Sequence, residues 1–126
     1  MRDGERIRIV IVEDNKVFRE ALELLLGLRN DIVVVGTVAD GEEAVPACRR
    51  LKPDVALMDY RLPGLDGVEA TRALRDACPE VAVVALTASA NREEMNALIA
   101  AGAVACLTKD KELEEIVAAI HDAARA

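Results

Sequence analysis

The chain has 126 residues, a net charge of −7, 52% hydrophobic residues and 2% aromatic residues, which predicts one ordered domain with an aliphatic core. The acidic balance and the absence of Trp argue against nucleic-acid binding through the chain's own surface. Because the sequence has no apolar run long enough to span a bilayer and no signal peptide, we expect a cytoplasmic protein without membrane contact.

The first predicted unit is a strand, a helix and a second strand. Residues 7–12 are almost continuously apolar, which is typical of a parallel strand covered on both faces. A helix follows and is ended by Gly27 and Asn30, and a second strand is predicted over residues 32–38. The apolar side chains that recur at helical spacing are Val17, Phe18, Ala21, Leu22, Leu25 and Leu28.

Acidic caps precede the next two helices. Residues 40–43 form a capping box, whose first and last side chains each meet a free N–H group. Pro46 lies inside the helix begun there, so we expect a kink or a first turn that is not fully α. After a strand over residues 55–58, residues 66–69 cap a helix that runs to about Ala77.

The remaining elements are two strands and two helices. Strands are predicted over residues 81–86 and 103–107, and residues 91–94 are similar to a helix cap. The apolar faces are formed by Met95, Leu98 and Ile99 in the first of these helices and by Leu113, Ile116, Val117 and Ile120 in the last.

Five βα units in succession predict an α/β fold, because right-handed crossovers place helices on both faces of a parallel sheet. We expect a (βα)5 doubly wound five-stranded sheet of flavodoxin-like type, with strand order 2-1-3-4-5. The carboxyl end of the first strand is then the place where ligands bind. A dinucleotide site would need G-x-G-x-x-G there, whereas the turn has Glu13-Asp14-Asn15-Lys16, which disfavours nucleotide binding.

Three acidic side chains stand at the ends of buried strands. Glu13 and Asp14 follow the first strand, and Asp59 follows the apolar run of the third. If those strands are neighbours, the carboxylates meet at one edge of the sheet, and such a cluster is hard to hold without a cation. The pattern predicts a metal-assisted acidic site. Taken separately, Asp59 could be a solvated loop acid, and Glu13-Asp14 could cap the next helix.

The three cysteines do not form a metal-binding motif. Cys48, Cys78 and Cys106 lack C-x-x-C spacing, and His121 is the one histidine. A zinc site is therefore not expected, and we expect each cysteine to pack as a small hydrophobic residue, with redox sensing as the alternative.

Short motifs stand in order at the strand ends. They are Glu13-Asp14, Asp59 with Pro63-Gly64 and Asp66-Gly67, Thr87-Ala88, and Lys109 after Gly102-Ala103. With this ordered set, the chain resembles the receiver domain of two-component response regulators over essentially its whole length. The stretches 13–26 and 109–120 are most similar to the NarL/FixJ (LuxR-type) subfamily.

The resemblance implies a phosphoacceptor and a magnesium site. Asp59 would accept a phosphoryl group from a phosphohistidine of a sensor histidine kinase, a reaction that mainly requires positioning and charge neutralisation. Asp14, Asp59 and the backbone carbonyl of Arg61 would hold Mg²⁺, and Glu13 would act through water. Such a domain is a switch that gains and loses its own phosphoryl group rather than a turnover enzyme.

The resemblance also implies ligands for the phosphoryl group. Lys109 would pair with one phosphoryl oxygen, and the Thr87 hydroxyl and the Ala88 N–H would bind the others. Arg61 and Ser89 would flank the path of attacking water and tune the lifetime of the aspartyl phosphate. The alternatives are an ordinary strand-end hydroxyl for Thr87 and a surface lysine for Lys109.

Two positions depart from the family pattern. Cys106 stands where receivers commonly carry Tyr or Phe, whose ring swings inward when the threonine moves. Because a small side chain cannot supply that packing, we hypothesise that Cys106 weakens or reroutes the coupling between Asp59 and the last strand and helices. Many receivers have Lys-Pro with a cis bond where this chain has Lys109-Asp110, for which we expect a trans bond.

The output surface is expected on the last two helices and the last strand, where the family forms homodimers or contacts an effector domain. Residues 1–126 would be one receiver domain with residues 1–6 as an N-terminal tail, and DNA binding would need an effector domain that is missing here. The chain is then a receiver-only regulator or, as we favour, a piece of a longer protein.

Two other functions are considered. A hydrolase or phosphatase with an aspartate nucleophile usually places a second Asp two residues later, and Arg61 occupies that place. A receiver-like binding module that acts without phosphorylation is the remaining alternative, and Cys106 favours it.

Overall fold

A computed structural model describes residues 6–88 and 91–125. The elements in chain order are β1 (Ile7–Val12), α1 (Lys16–Gly27), β2 (Ile32–Val38), a 3₁₀ turn (Gly41–Glu43), α2 (Ala44–Leu51), β3 (Val55–Asp59), α3 (Gly67–Ala77), β4 (Ala82–Thr87), α4 (Arg92–Ala101), β5 (Ala105–Thr108) and α5 (Leu113–Arg125). All strand pairs are parallel, and the order β2-β1-β3-β4-β5 confirms the predicted flavodoxin-like fold. None of the helices in the described ranges is long and apolar enough to cross a membrane.

Alternate strand residues enter two apolar cores, one on each face of the sheet. The core beneath α1 and α5 includes Ile9, Ile11, Leu57, Leu26 and Ile120. The core beneath α2, α3 and α4 includes Val10, Met58, Cys48, Leu74 and Leu98. Burial of each large aliphatic side chain contributes about 1.5–3 kcal/mol to the stability of the fold. The central strands are therefore well packed, and the loops at their carboxyl ends are held on a rigid base.

Polar caps fix where the helices begin. The Asp40 carboxylate accepts the Glu43 N–H at 2.9 Å and starts the 3₁₀ turn before α2, which confirms the expected non-α turn ahead of Pro46. Asp66 and Glu69 accept each other's backbone N–H groups in a capping box at the start of α3. Removing a cap of this kind typically costs about 1 kcal/mol.

The exposed face of α1 differs from the predicted pattern. Leu22 and Leu26 are buried, whereas Val17 is 80% exposed and Leu28 is 73% exposed. Apolar residues cover a broad arc of the helix, opposite Lys16, Glu20 and Glu23, so periodicity alone could not identify which part of that arc packs on the sheet. The exposed residues form what we call the α1 apolar strip, which consists of Val17, Ala21, Leu24, Leu25 and Leu28.

The junction between α4 and β5 also differs from the prediction. Gly102 adopts a left-handed conformation with φ +119°, and the N–H groups of Gly102 and Ala103 donate to the carbonyls of Ile99 and Leu98. This cap ends α4 and takes up Ala103, so β5 begins at Ala105 rather than at residue 103. Ile99, which was expected on the packed face with Leu98, is 48% exposed.

The cysteines pack as expected. Cys48 and Cys78 are fully buried and Cys106 is half-buried, all as free thiols. Burial raises the pKa of Cys48 to about 12 and also raises the pKa of Cys78. Because the thiolate is the reactive form, the two buried thiols are poor candidates for redox chemistry.

Candidate functional site

The three predicted acids meet at the carboxyl edge of the sheet. Because β1 is paired with β3, the turn after Val12 lies beside Asp59, the last residue of β3. Oxygen atoms of Glu13, Asp14 and Asp59 lie within 4.8 Å of one another. Glu13 and Asp59 are only 2% and 5% exposed, whereas Asp14 faces solvent. The predicted convergence of these carboxylates is confirmed.

Lys109 brings a positive charge into the same cluster. It follows β5, and its N–H donates to the Thr87 carbonyl at 2.8 Å, which holds it beside the end of β4. Its Nζ lies 2.8 Å from Glu13 Oε1 and 3.2 Å from Asp59 Oδ1. Lys109 is therefore part of the site and not an ordinary surface lysine.

The electrostatics of the cluster oppose ionisation of Asp59. Burial and the negative charge of Glu13 raise the pKa of Asp59 to about 7, and Lys109 offsets only part of this rise. Burial lowers the pKa of Lys109, but its hydrogen bonds and charge interactions with Glu13 and Asp59 outweigh burial and raise that pKa. The Lys109 ammonium thus stays charged. The positive charge around Asp59 is nevertheless too small for this carboxyl to ionise readily at neutral pH.

The cluster opens into a cavity of about 310 Å³ at the surface. Thr87 lies at its wall with 2% exposure, and Ala88 is exposed at the rim. A second, more open cavity of about 460 Å³ adjoins it and shares Asp14, Tyr60 and Arg61. The first cavity is lined by Glu13, Asp14, Asn15, Asp59, Tyr60, Arg61, Thr87, Ala88 and Lys109.

The donor set fits a hard divalent cation. Three carboxylates face one ammonium group, so the ionised cluster carries two negative charges in excess. All the candidate donors are carboxylate oxygens, and the exposed Asp14 leaves room for retained waters. This combination is the one that Mg²⁺ prefers, whereas zinc sites use His and Cys.

Two residues near the site had not been predicted to act there. The Phe18 ring centroid lies 4.7 Å from Lys109 Nζ, so a cation–π contact joins the ammonium group to α1. The Arg19 guanidinium donates to the Glu13 carbonyl at 2.8 Å and fastens the turn after β1. The spacing of both residues from Glu13 places them on the first turn of α1, but only the packing of β5 against β4 brings Lys109 within reach.

The Arg61 side chain contacts residues outside the acid cluster. Its NH2 group lies 3.4 Å from Oε2 of Glu94 on α4, and its guanidinium carbon lies 5.8 Å from the Tyr60 ring centroid. The Glu94 contact could not be read from sequence because the two residues are 33 positions apart. The role of the Arg61 carbonyl as a metal ligand stays a prediction.

Three further predictions concern Cys106, Ser89 and the Lys109-Asp110 bond. Cys106 is not among the lining residues of the cavity; it is half-buried in β5, opposite Ala85 of β4, and burial raises its pKa. Ser89 lies outside the described residues. Residues 6–88 and 91–125 contain no cis peptide bond, so the expected trans form of Lys109-Asp110 is confirmed.

Comparison with known proteins gives a consistent result. A family model described as the response regulator receiver domain matches residues 9–121. Response regulator GacA of Pseudomonas viridiflava is 40% identical over 115 residues, which are 91% of this chain and 54% of that protein. The nitrate/nitrite response regulator protein NarL of Escherichia coli strain K12 is 31% identical over 124 residues, which are 98% of this chain and 57% of that protein. The chain spans about half the length of these curated relatives.

Solved structures share the fold closely. The signal receiver domain of the response regulator NarL from Mycobacterium tuberculosis has a TM-score of 0.92 and 34% identity, with coverage of 97% of this chain and 98% of that chain. A two-component response regulator of the LuxR family from Aurantimonas sp. SI85-9A1 has a TM-score of 0.89 and 32% identity, with coverage of 95% and 86%.

Proposed function

This chain belongs to the response regulator receiver domain family, and from that premise we propose that it accepts a phosphoryl group on Asp59 from a sensor histidine kinase. The observation that carries the proposal is the buried Asp59 carboxylate, set 3.2 Å from Lys109 Nζ at the floor of an open cavity. A carboxylate in this position can reach an incoming phosphoryl group, and the ammonium is ready to neutralise the added charge.

The proposed transfer moves one phosphoryl group between two side chains. An Asp59 carboxylate oxygen attacks phosphorus, a P–O bond forms, and the P–N bond to the kinase histidine breaks. The bonding electron pair returns to the imidazole nitrogen of the histidine. Lys109 would shift its contact from Asp59 to a phosphoryl oxygen, and the Thr87 hydroxyl and the Ala88 N–H would bind the remaining oxygens.

Mg²⁺ is the cofactor that we propose for this site. Asp14, Asp59 and the Arg61 carbonyl would hold it, with Glu13 acting through water. When bound, the cation would supply charge neutralisation for the phosphoryl oxygens and for the acid cluster. The proposal is supported by the all-oxygen donor set and by the excess of negative charge around Asp59.

The kinase would have to cover the surface around the cavity. Asn15 lines the cavity and caps α1, so the α1 apolar strip begins next to the rim, with Val17 80% exposed. A protein that brings a phosphohistidine to Asp59 would bury part of this strip, which is the kind of apolar surface that stable partners cover.

The proposed output is regulation of transcription through a homodimer or an effector domain. On the face formed by α4, β5 and α5, Ile99 of α4 is 48% exposed. Val104, in the turn between α4 and β5, is 49% exposed. The relatives that match include proteins named as transcriptional regulators. DNA contact would belong to an effector domain, because the receiver itself is acidic. We place this switch in the cytoplasm, where response regulators generally act.

A receiver-like binding module that acts without phosphate is the second candidate. It is favoured by Cys106, which gives β5 a small side chain at the position of the expected aromatic switch. This candidate predicts equal partner binding by the wild-type protein and Asp59→Asn. The main proposal predicts that only the wild-type protein changes its binding after treatment with a phosphodonor.

Chemical mapping of the modified residue tests the proposed function. The protein would be treated with acetyl phosphate and Mg²⁺, and the acyl phosphate would then be reduced with borohydride, which converts a phosphorylated aspartate to homoserine. We expect homoserine at position 59 and an unchanged Asp66, the capping acid of the same loop. Homoserine at Asp66 or at Asp14 instead would contradict the assignment of Asp59.

A further inference from the structure

Arg61 and Glu94 form an ion pair that links the mouth of the cavity to α4. Arg61 lines the cavity that contains Asp59, and its side chain is 78% exposed. Glu94 is far less exposed, at 16%, and its Oε2 lies 3.4 Å from the Arg61 NH2 group. Glu94 is fixed on the first turn of α4, where its N–H donates to Asn91. Of the two partners, Glu94 is therefore the more buried one and Arg61 the more exposed one.

The other carboxylate oxygen of Glu94 is sealed from solvent. Oε1 has no hydrogen-bond partner among the residues that the structure describes. A partly buried carboxylate of this kind is screened less than a fully exposed one, so it attracts a nearby cation. Within residues 6–88 and 91–125, Lys109 is the cation found in ion-pair contact with Asp59, whereas Arg61 is held by Glu94.

We propose that Glu94 is a positioning residue that holds the Arg61 guanidinium on α4 and thereby limits its attraction for phosphoryl groups that enter the cavity. This inference rests on the proposed function of Asp59. An arginine that is free at the rim would attract an anionic phosphodonor and the phosphoryl group after transfer. Pairing with Glu94 opposes this attraction, so the reactivity of Asp59 depends on an acid that never contacts the phosphoryl group.

The expected size of the effect follows from the exposure of the pair. Exposed ion pairs contribute a factor of about two to five to an equilibrium or a rate, and salt weakens them. Glu94→Gln keeps the shape of the side chain and removes its charge. We expect this variant to react about two to five times faster than wild type with acetyl phosphate at low ionic strength, and the gain should shrink in 0.5 M salt.

Paired variants separate the action of Arg61 from the charge of Glu94 itself. Arg61→Gln and the double variant with Glu94→Gln should react at similar rates, because Glu94 has no cation left to hold. Phosphoramidate, which carries less negative charge than acetyl phosphate, should show a smaller gain in Glu94→Gln. Glu93→Gln is the matched control, because Glu93 is exposed on the same helical turn and should leave the rate unchanged.

Two results would overturn the positioning role. One is an unchanged rate in Glu94→Gln, and the other is an equal gain in the presence and absence of Arg61, which would mean that the Glu94 charge acts directly.

Failure of the wild-type protein to gain any phosphoryl group would instead overturn the proposed function. In that case the Arg61 side-chain N–H signal, measured by NMR without any donor, still decides the positioning role. The order parameter of this N–H group should fall in Glu94→Gln and not in Glu93→Gln. An unchanged order parameter in Glu94→Gln would refute the role.

Discussion

Asp59 is under opposing forces within a few ångströms. Burial and Glu13 favour its protonated form, and Lys109 favours its ionised form without fully compensating. Phosphoryl transfer needs the ionised carboxylate, so the acid cluster is suited to work with a bound cation. Because ionisation of Asp59 is unfavourable in the folded state, this residue also reduces the stability of the metal-free protein at neutral pH.

The first prediction concerns Asp59→Asn and stability. The pKa of Asp59 rises from an ordinary value of 3.8 to about 7 on folding, so the folded state binds this proton more tightly than the unfolded state. Stability is therefore lost as the pH rises from about 4 to 7. Without Mg²⁺, Asp59→Asn should unfold with the same free energy as wild type near pH 4 and with a free energy about 1–4 kcal/mol higher above pH 7.

Urea denaturation across this pH range measures the difference. Asp76→Asn, on the exposed face of α3, serves as the control and should behave like wild type. Addition of Mg²⁺ should narrow the gap between Asp59→Asn and wild type, because the proposed cation would bind the native wild-type site. A gap that is constant with pH would show that desolvation of Asp59 is not its cause.

The second prediction concerns Cys106. Its half-buried side chain lies opposite Ala85 and leaves no aromatic ring to follow a movement of Thr87. Cys106→Tyr should strengthen the dependence of dimerisation on phosphorylation, which analytical ultracentrifugation with and without acetyl phosphate can measure. Cys78→Ala, a change in a buried thiol outside β5, is the control. If Cys106→Tyr leaves the phosphorylation dependence untouched, the hypothesis of weakened coupling is wrong.

At the scale of elements, α3 fixes the backbone of the phosphoacceptor. The Gly67 N–H donates to the Tyr60 carbonyl at 2.8 Å, so α3 starts against the peptide that follows Asp59. A Cβ at Gly67 would lie 2.3 Å from the Asp59 carbonyl oxygen and 2.8 Å from Tyr60 Cα. Neither atom can move without moving the end of β3, so the glycine is required by this close approach.

The third prediction follows from that contact. Gly67→Ala should lower the free energy of unfolding by about 1–3 kcal/mol and should also slow phosphorylation, because it displaces the Asp59 backbone. Urea denaturation and the rate with acetyl phosphate give the two values. Gly27→Ala is the control, since a Cβ there meets nothing within 4 Å and should be neutral or slightly stabilising. Equal behaviour of the two variants would contradict the packing argument.

Sequence predicted the elements where local chemistry decides them. Asp66 and Asn91 are short polar caps, and each stands one residue before its helix. The convergence of Glu13 with Asp59 followed from strand order alone, since parallel neighbours bring their carboxyl ends together. The caps needed only the local pattern of the chain, whereas the convergence of the acids also needed the expectation that β1 and β3 are neighbours.

Long-range side-chain contacts could not be predicted in the same way. The packed face of α1 was ambiguous because Leu24, Leu25 and Leu26 are consecutive, and only Leu26 is buried. The contact of Phe18 with Lys109 and that of Arg61 with Glu94 join residues far apart in the chain. Such contacts depend on how elements pack and on which rotamers the packing allows, and a single sequence records neither.

For the whole molecule, α4 and α5 make side-chain contacts at different ends of the sheet. Arg61 and Glu94 join the cavity to α4, whereas α5 is tied to the far end of the sheet by His121. His121 Nε2 lies 2.7 Å from Asp31 Oδ2, and the hydrogen bond from Arg29 helps to hold the pKa of Asp31 down at about 2. Of these two helices, α4 is the one that contacts a residue lining the cavity around Asp59.

The fourth prediction concerns the proposed dimer face. The chain carries a net charge of −7, and phosphorylation adds up to about two negative charges, so an apolar contact would help two copies to overcome their mutual repulsion. Ile99→Asp should weaken phosphorylation-dependent dimerisation about tenfold or more, as measured by sedimentation after treatment with acetyl phosphate. Leu24→Asp, in the α1 apolar strip, is the matched control with 65% exposure. Loss of the dimer in Leu24→Asp but not in Ile99→Asp would move the interface to α1.

The central claim is that Asp59 is the phosphoacceptor of a Mg²⁺-dependent switch, and intact-mass spectrometry tests it most directly. The wild-type protein and Asp59→Asn would be incubated with acetyl phosphate and Mg²⁺, with and without EDTA. The account predicts the gain of one phosphoryl group by wild type alone, and its loss when EDTA is present. No gain with any of several small-molecule donors, or the same gain in Asp59→Asn, would contradict it.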